Sequence, residues 1–547
     1  MAHAIPWLII AALLLYTGAL MALSARAKRR LADAGGENFL HGGRTFGFRH
    51  VFILVTVLWA SSIFIVELET GFLSGISAVW FGISVIVMSV LVAAFLLKPF
   101  QRIGYLTNSR MIGERYGRAA QRFSAAVIAL TFPIFAMSNV LAAAEFIHAL
   151  VGWSLPVTLT LTTAIMLVYV GQSGMWSLAY TQTLNLITLT AGIAVAAWFL
   201  LRAPATVLHP VHIAGFHSWT GVGIGTLTVW LLMNILNSLS AQAELQAIAA
   251  VKNPRRGQAA VYVSALVLIA FTIIPVWLGM RTREMFPLAA KGLAAFPAAV
   301  AHVAPPWALL VVALGVWASA LAWCAPLLFS GASSFGADLF LRPAATGRRA
   351  DIRTLTRYGL IVQGVLVIIV SLLRPDELAW WRVFGQTIRS GAIFAPTAAY
   401  FLWPLATRRG ALWSMTTGVI SSFLWNATTG FSATRFLLAV NPMWVGLTIS
   451  ATALVVISLA EHGFARPFHF PSPSGYVSFA CVAAIVLAAA LTWRIAPALH
   501  GALICVGVLF ALTGVALSST PAKKEQSDAE TGKPLEKSPA PDAVQAG

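Results

Sequence analysis

A series of apolar segments, each long enough to cross a lipid bilayer, constrains this chain more than any other feature. A helix needs about 20 apolar residues to span the hydrocarbon layer, and about fifteen such segments follow one another here. The pattern predicts an all-α polytopic membrane protein with about fifteen transmembrane helices. The predicted spans lie near residues 5–25, 50–76, 77–98, 123–151, 156–171, 175–202, 220–246, 258–280, 305–336, 357–374, 384–405, 411–430, 441–460, 477–496 and 500–518.

The composition excludes several classes of soluble protein. Hydrophobic residues make up 59% of the chain and charged residues only 10%, whereas a soluble chain carries about 25% charged residues. A cytosolic enzyme, a nucleic-acid regulator and a secreted disulfide scaffold are therefore excluded. The cysteines Cys324, Cys481 and Cys505 lie far apart inside apolar runs, which is typical of buried thiols and offers no disulfide or metal-ligand spacing.

The basic residues indicate the topology. The formal net charge is +18, and the 36 Lys and Arg residues concentrate in short loops between apolar segments. Such loops stay in the cytoplasm, so the charge does not indicate a nucleic-acid partner. The loops predict an odd number of spans, with the N-terminus outside and the C-terminus in the cytoplasm. They are AKRR (27–30), KPFQR (98–102), KNPRR (252–256), RPAATGRR (342–349) and TRR (407–409).

The two ends of the chain have different predicted roles. The basic cluster follows the first apolar segment instead of preceding it, so residues 1–30 are predicted to form an extra transmembrane helix and not a signal peptide. Residues 519–547 are rich in Pro, Lys, Glu, Ala and Ser and have no apolar period. This tail is predicted to be disordered and cytoplasmic.

Five stretches of the chain carry recognisable motifs. They are ENFLHGGRTFG (37–47), LTNSRMIGERYG (106–117), GQSGMWSLAYTQTLN (171–185), QAIAAVKNPRRG (246–257) and SGAIFAPTAAYFLWPLATRRGALWSMTTG (390–418). In this order they resemble motifs of the sodium/solute symporter family, which includes carriers of proline, sugars, vitamins and monocarboxylates. The five together, in the family's own order, make the resemblance strong.

The resemblance implies a LeuT-like transporter core. In that fold, two five-helix halves of opposite orientation hold the substrate between them. The halves would be residues 50–202 and 220–405, followed by additional transmembrane helices at 411–518. The first helix of each half is interrupted near the bilayer midplane in such folds, so that free backbone groups can hold a ligand.

Polar residues stand at corresponding places in the first helix of each half. Trp59, Ser61 and Ser62 interrupt the apolar run in the first half, as Asn234 and Asn237 do in the second. We expect both helices to be broken there and these five residues to contact the substrate. The resemblance assigns a substrate contact to Asn234 and places Asn237 where sugar carriers have an aromatic gate, which argues against a sugar. The other interpretation of the two asparagines is hydrogen bonding between helices.

The residues that hold sodium in the family are only partly matched. Counting back from Asp338, the resemblance places the family's hydroxyl pair at Ala322 and Trp323, which have no hydroxyl. It also places Gln182 where the family has an acidic partner for the cation, so that partner is missing here. Sodium needs hard oxygen ligands, so the site is either lost or shifted by one turn to Ser319. Sodium and a proton both remain candidate coupling ions, and no organic cofactor is expected.

Carboxylates within the predicted spans are candidate members of an ion or proton pathway, because ionised groups are costly in a membrane. Glu67 and Glu69 are expected near the outer end of their helix, where they would line this pathway, be hydrated, or pair with Arg389 near the outer end of the tenth core helix. Glu244 lies closer to the cytoplasmic end of its span, so its carboxylate is expected to extend to that surface.

A glutamate and a histidine form a second candidate for this pathway. Glu145 precedes His148 by one helical turn. This spacing suits a proton-relay pair, and it equally suits a simple pair on the helix surface.

These features favour a secondary transporter of a small polar metabolite in the cytoplasmic membrane, driven by a sodium or proton gradient. Glu67 and Glu69 favour a zwitterionic or cationic substrate, whereas an unpaired Arg389 would receive a carboxylate. A transport-derived sensor with a separate signalling partner is the alternative, and neither a catalytic constellation nor a nucleotide motif is found. The expected partners are the substrate and membrane lipid, and the oligomeric state stays unassigned.

Overall fold

The computed structural model describes most of the chain: residues 4–29, 45–103, 107–171, 175–340, 352–373, 378–432, 435–462, 473–492 and 497–519. Three sequence features lie outside these ranges, namely most of the motif at 37–47, the basic loop at 342–349, and the tail from residue 520. The predictions for these three features stay predictions.

Helices dominate the first part of the chain. They are α1 (Ala4–Arg29), α2 (Phe48–Ser74), α3 (Val79–Leu91), α4 (Leu97–Ile103), α5 (Asn108–Tyr116), α6 (Arg118–Val151), α7 (Leu155–Gly171) and α8 (Met175–Leu201). A 3-10 turn at Gly75–Ala78 joins α2 to α3, and a π-helical segment at Val92–Leu96 joins α3 to α4.

The second part of the chain is also helical. It contains α9 (Ile224–Asn237), α10 (Gln242–Ala249), α11 (Pro254–Met285), α12 (Gly292–Val303), α13 (Pro306–Ser333), α14 (Ile352–Leu373), α15 (Leu378–Leu402), α16 (Arg408–Ala427), α17 (Pro442–Glu461), α18 (Pro473–Thr492) and α19 (Pro497–Ser518). A π-helical segment, Ser334–Phe340, extends α13. Within the described ranges the extended pairing consists of one isolated bridge, Phe46 with Val251.

The all-α fold is confirmed, but the count of fifteen spans is not. In the described part of the chain, 10 helical runs are long and apolar enough to cross a membrane, and three further apolar helices are shorter. The run Phe48–Arg102 has 55 residues. At 1.5 Å per residue it would extend roughly 80 Å as a straight helix, which is more than one crossing.

The chain reverses direction between α2 and α3, so this run contains two crossings as the sequence predicts. Gly75 in the turn has a φ of 70°, a left-handed conformation that favours glycine. The backbone N–H of Gly82 donates to Glu67 Oε1 at 2.7 Å. A straight helix would hold these two residues roughly 22 Å apart, so the hydrogen bond requires that α2 and α3 lie side by side.

The helix predicted to begin the second half is interrupted, as expected. α9 ends at Asn237, residues 238–241 form a non-helical turn, and α10 begins at Gln242. Asn108 of α5 donates its side-chain amide to the Leu239 carbonyl at 2.6 Å. A neighbouring helix thus satisfies a carbonyl that the break releases.

The predicted break in the first half is wrong. α2 is continuous through Trp59, Ser61 and Ser62. Ser61 Oγ donates to the Val57 carbonyl at 2.6 Å, a bond one turn back that is compatible with an intact helix. Ser62 Oγ accepts a hydrogen bond from Arg382 at 2.6 Å. Because these hydroxyls find partners without backbone rearrangement, polar residues alone do not interrupt α2.

Two helices in the middle of the fold position the polar core. α6 and α13 are the most deeply buried of the candidate spans. α13 also packs against α8 through two glycines, since a Cβ atom on Gly192 would lie only 2.7 Å from Gly315 Cα. Asn139 of α6 and Ser319 of α13 have no exposed surface, so their side chains face other helices and not lipid.

Candidate functional site

A narrow cavity, which we call the central cavity, lies beside the break between α9 and α10. Four of the five predicted substrate contacts line it: Trp59, Ser62, Asn234 and Asn237. Ser61, the fifth, is not among the lining residues. The free volume is about 30 Å³, which holds roughly one or two water molecules. A metabolite can therefore enter only after the surrounding side chains move apart.

The central cavity combines apolar walls with a few charged groups, as ligand sites usually do. Its charged side chains are Glu244, Arg382 and Arg389. Its aromatic side chains are Trp59, Phe81, Phe132, Phe135 and Trp323.

Arg389 lies in the middle of α15, and its guanidinium reaches the broken helix. Its Nη2 donates to Asn237 Oδ1 at 2.5 Å and to Gln386 Oε1 at 2.7 Å. The guanidinium carbon lies 4.4 Å from the centre of the Phe135 ring. Arg389 Nε is buried and has no hydrogen-bond partner among the described residues. The sequence-based placement of Arg389 at the outer end of its helix was wrong, because α15 continues for eleven residues before it.

Arg382 stands seven residues earlier on α15 and makes three hydrogen bonds. Nη1 donates to Ser62 Oγ at 2.6 Å, Nη2 to Asn139 Oδ1 at 2.7 Å, and Nε to Ser138 Oγ at 2.9 Å. The side chain is only 5% exposed. Sequence reasoning missed this residue, because it searched the spans for carboxylates and began the predicted span at residue 384, two residues after Arg382 in the segment WWRVFGQTIRSG.

Within the described ranges, neither guanidinium has a carboxylate partner. The ion pairs found within the described ranges join Arg281 to Glu284, Lys291 to Glu145, and Arg409 to Glu461. Charged groups inside a membrane are costly unless paired, and they usually mark a functional site. The two arginines therefore make the central cavity electropositive.

Glu244 is the negative group of the central cavity. It lies in the first turn of α10, where the helix dipole favours a carboxylate. Its Oε2 accepts a hydrogen bond from Trp59 Nε1 at 3.1 Å, and its Oε1 has no partner among the described residues. The expectation that Glu244 extends to the cytoplasmic surface was wrong. The break before α10 turns this carboxylate into the protein, where it has no exposed surface.

The residues expected to hold a cation lie next to this cavity. Ser319 Oγ donates to the Ser61 carbonyl at 3.2 Å, and Asn139 Nδ2 donates to the same oxygen at 3.1 Å. Gln182 Nε2 donates to the Ala322 carbonyl at 2.8 Å. Ser319 is thus beside α2, as a shifted site requires, whereas Gln182 binds the backbone of α13.

Glu67 and Glu69 have separate environments. Glu67 has no exposed surface and accepts from Gly82 N, so it does not lie at a solvent-exposed surface, and among the described residues it forms no ion pair with Arg389. Glu69 Oε2 accepts from the backbone N–H of Leu293 at 2.7 Å. This contact lies in the first turn of α12, where carboxylates satisfy free N–H groups.

Glu145 and His148 do not form the predicted relay pair. Glu145 Oε1 accepts from Lys291 Nζ at 3.0 Å. His148 is exposed, and its Nδ1 contacts the Trp153 carbonyl. The two side chains therefore turn to different partners.

A second, wider cavity of about 430 Å³ lies beside the central one. Trp230 and Thr387 line it, and they belong to the same two helices, α9 and α15, that line the central cavity. Phe81 of the central cavity meets Trp230 edge to face, with ring centres 5.9 Å apart. This aromatic pair lies between the two cavities.

Comparison with known proteins identifies the family. The sequence model of the sodium:solute symporter family matches residues 39–418. The chain belongs to this family. The matched range contains every residue that lines the central cavity. Among its similar proteins is the high-affinity choline transporter 1 of Caenorhabditis elegans, 21% identical over 395 residues. That alignment covers 65% of this chain and 66% of the relative, slightly less than two thirds of the relative's length.

A solved structure shows the same fold as this sodium:solute symporter family member. It is the substrate-bound, outward-open state of a Na⁺-coupled sialic acid symporter. The superposition has a TM-score of 0.65 and 14% identity, and it covers 84% of this chain and 98% of the other. The family and these relatives are transporters, which points away from an enzyme.

Proposed function

We propose that this chain is a secondary active transporter of a small zwitterion, a metabolite that carries both a carboxylate and an amine. Two unpartnered atoms of opposite charge in one cavity support this proposal. Arg389 Nε and Glu244 Oε1 are buried and have no hydrogen-bond partner among the described residues. Buried polar atoms nearly always have a hydrogen-bond partner. A ligand with a carboxylate and an amine would supply a partner to each of these two atoms.

The substrate carboxylate binds at Arg389. A guanidinium presents parallel N–H groups that suit the two oxygens of a carboxylate, and Nε is one of these donors. The ring of Phe135 supports the guanidinium from one side. Asn234 and Asn237 line the same cavity and offer amide groups to other polar atoms of the substrate.

The substrate amine binds at Glu244. Trp59 holds Oε2, which leaves Oε1 for a second donor. The aromatic rings of Trp59, Phe81 and Trp323 also line the cavity, and ring faces attract cations. A zwitterion therefore fits the electrostatics better than a dicarboxylate, which would leave Glu244 opposite a like charge.

Transport follows from alternating access between two halves, residues 50–202 and 220–405, with the substrate between them. With the N-terminus outside, the wider cavity opens to the exterior, and the Phe81–Trp230 pair forms the outer gate. The C-terminus is then cytoplasmic. Impermeant labelling of single cysteines placed at His212 and Arg255 tests this topology, because His212 lies outside in this orientation and Arg255 inside.

A cation gradient drives uptake. Family membership favours sodium, and a proton is the alternative. Uptake into proteoliposomes with a sodium gradient, with a pH gradient and with neither would distinguish the two ions.

Thermal-shift measurements on the purified protein test the substrate class. Each test set contains an amino acid, its des-amino acid and its decarboxylated amine, so that side-chain size is constant. The zwitterion should stabilise the protein most, and Arg389→Gln should abolish this stabilisation. Arg281→Gln is the matched control, since Arg281 pairs with Glu284 away from the cavity. Stabilisation that is equal in Arg389→Gln and in the control would refute the proposed site.

A further inference from the structure

We propose that Arg382 supplies a fixed positive charge to an oxygen cluster that would otherwise hold a monovalent metal cation, so that transport needs no sodium ion there. The cluster consists of Ser62 Oγ, Ser138 Oγ and Asn139 Oδ1, which accept from Arg382, and it adjoins the Ser61 carbonyl oxygen, which accepts from Asn139 Nδ2. This inference rests on the proposed transport function only where uptake is measured.

Each nitrogen of the Arg382 guanidinium donates a hydrogen bond to an oxygen. Its three nitrogens donate to Ser62, Asn139 and Ser138 over 2.6, 2.7 and 2.9 Å. Each of these partners is at most 1% exposed. The contacts join α15 to α2 and α6, and no nitrogen of Arg382 lacks a partner in the part of the chain described.

Asn139 extends the cluster to the backbone of α2. Its Nδ2 donates to the Ser61 carbonyl at 3.1 Å, while its Oδ1 accepts from Arg382. Ser319 Oγ of α13 donates to the same carbonyl at 3.2 Å. Oxygen atoms from α2 and α6 thus contact the guanidinium, and Ser319 of α13 shares with Asn139 a neighbouring backbone oxygen of α2.

These oxygens have the chemistry of a site for a singly charged cation. Hydroxyl, amide and carbonyl oxygens are hard ligands, which alkali and alkaline-earth cations prefer. Within the described ranges no carboxylate pairs with Arg382, so a neutral oxygen set faces a single positive charge. A metal ion at the same place would be repelled by the guanidinium at short range, where Coulomb energies are large.

The two arginines of the cavity therefore have different roles. Arg389 keeps one buried donor without a partner and is suited to bind a ligand. Arg382 has no such donor and is suited to hold three helices together. A resident cation in this position stabilises the arrangement of α2, α6 and α15 permanently, whereas an exchangeable ion would do so only when bound.

Removal of the charge tests the inference. We would measure the melting temperature of purified wild type, Arg382→Ala, Arg382→Gln and Arg382→Lys in sodium chloride and in potassium chloride of equal concentration. The wild type and Arg382→Lys should show no sodium-specific stabilisation that Ser319→Ala removes. Arg382→Ala and Arg382→Gln should gain a saturable stabilisation by sodium, because the oxygens lose their cation. Adding Ser319→Ala to either variant should weaken this gain.

Two results would overturn the inference. One is saturable stabilisation of the wild type by sodium that Ser319→Ala abolishes. The other is a folded Arg382→Gln protein that sodium does not stabilise. If both neutral variants fail to fold, uptake by the wild type tests the inference instead. Uptake that depends on sodium, with a dependence that Ser319→Ala removes, would contradict a resident cation. Uptake that is independent of sodium would support it.

Failure of the proposed function would be distinguishable. The proposed function predicts stabilisation by a zwitterion that requires Arg389, and this is measured in potassium chloride without sodium. If the zwitterion gave no such stabilisation, the comparison of melting temperatures in sodium chloride and potassium chloride would still test the role of Arg382.

Discussion

Arg389 Nη2 donates to Asn237 Oδ1 over 2.5 Å, and Asn237 is the last residue of α9 before the helix break. The guanidinium of α15 is therefore tied to the hinge between α9 and α10. A substrate carboxylate that binds Arg389 would compete with Asn237 for the same donors. We expect substrate binding to loosen this contact and so to bias the position of the broken helix.

Loss of the Arg389 charge should weaken substrate binding. A hydrogen bond to a charged group contributes about 1.5–3 kcal/mol, so Arg389→Gln should weaken affinity roughly 10- to 150-fold. Arg389→Lys keeps the charge but not the fork of donors, and it should restore only part of the affinity. Isothermal titration with the best zwitterion from the screen measures both. Unchanged affinity in Arg389→Gln would place the carboxylate elsewhere.

Neutralisation of Glu244 should change selectivity more than stability. In Glu244→Gln the side-chain carbonyl still accepts from Trp59 Nε1, so the local geometry is kept, while the negative charge is lost. We expect the preference for an amino acid over its des-amino analogue to fall. Glu284→Gln is the control, because Glu284 pairs with Arg281 outside the cavity. An undiminished preference in Glu244→Gln would exclude Glu244 as the amine contact.

The aromatic pair between the two cavities should control access to the central one. Trp230→Ala removes one ring of the pair with Phe81, whose centres are 5.9 Å apart. A cysteine at Asn234, in a background without Cys324, Cys481 and Cys505, should then react faster with a water-soluble thiol reagent. The matched comparison is Trp413→Ala, at a largely exposed position. Equal labelling rates in both variants would show that the pair is not a barrier.

The contact between α8 and α13 should tolerate no side chain. Gly192→Ala places a Cβ 2.7 Å from Gly315 Cα, and the crowded atom is backbone, which cannot rotate away. Such overpacking costs about 1–3 kcal/mol, so the melting temperature should fall. Gly18→Ala in α1 is the control, since a Cβ there meets nothing within 4 Å and alanine favours a helix. A fall of equal size in both variants would contradict the close contact.

The sequence predicts the elements of this fold better than their side-chain partners. Apolar length identifies the helices, and the polar run after Asn234 identifies the break before α10. The same argument fails for α2, because the hydroxyls of Ser61 and Ser62 form hydrogen bonds with the Val57 carbonyl and with Arg382 while the helix stays intact. Which hydroxyls find such partners depends on neighbouring helices that are distant in sequence.

The charged groups of the cavity show the same limit. Glu244 lies near the end of an apolar segment, and only the turn at 238–241 brings it to Trp59 of α2. Arg382 and Ser62 are 320 residues apart. Arg389 lies inside the predicted span 384–405 and Arg382 just before it, so this pair could have been noticed from the sequence, since intramembrane charges often mark a functional site. Their lack of carboxylate partners within the described ranges required the packed structure.

Uptake by purified protein in liposomes tests the transport of a zwitterion through the Arg389 site most directly. Radiolabelled zwitterion from the thermal-shift screen is supplied outside, with an inward cation gradient, to liposomes containing wild type, Arg389→Gln or Arg281→Gln. Wild type and Arg281→Gln should accumulate the label above the equilibrium level, and Arg389→Gln should not. Accumulation by Arg389→Gln at the wild-type rate, or no accumulation by folded wild type under either a sodium or a proton gradient, would contradict it.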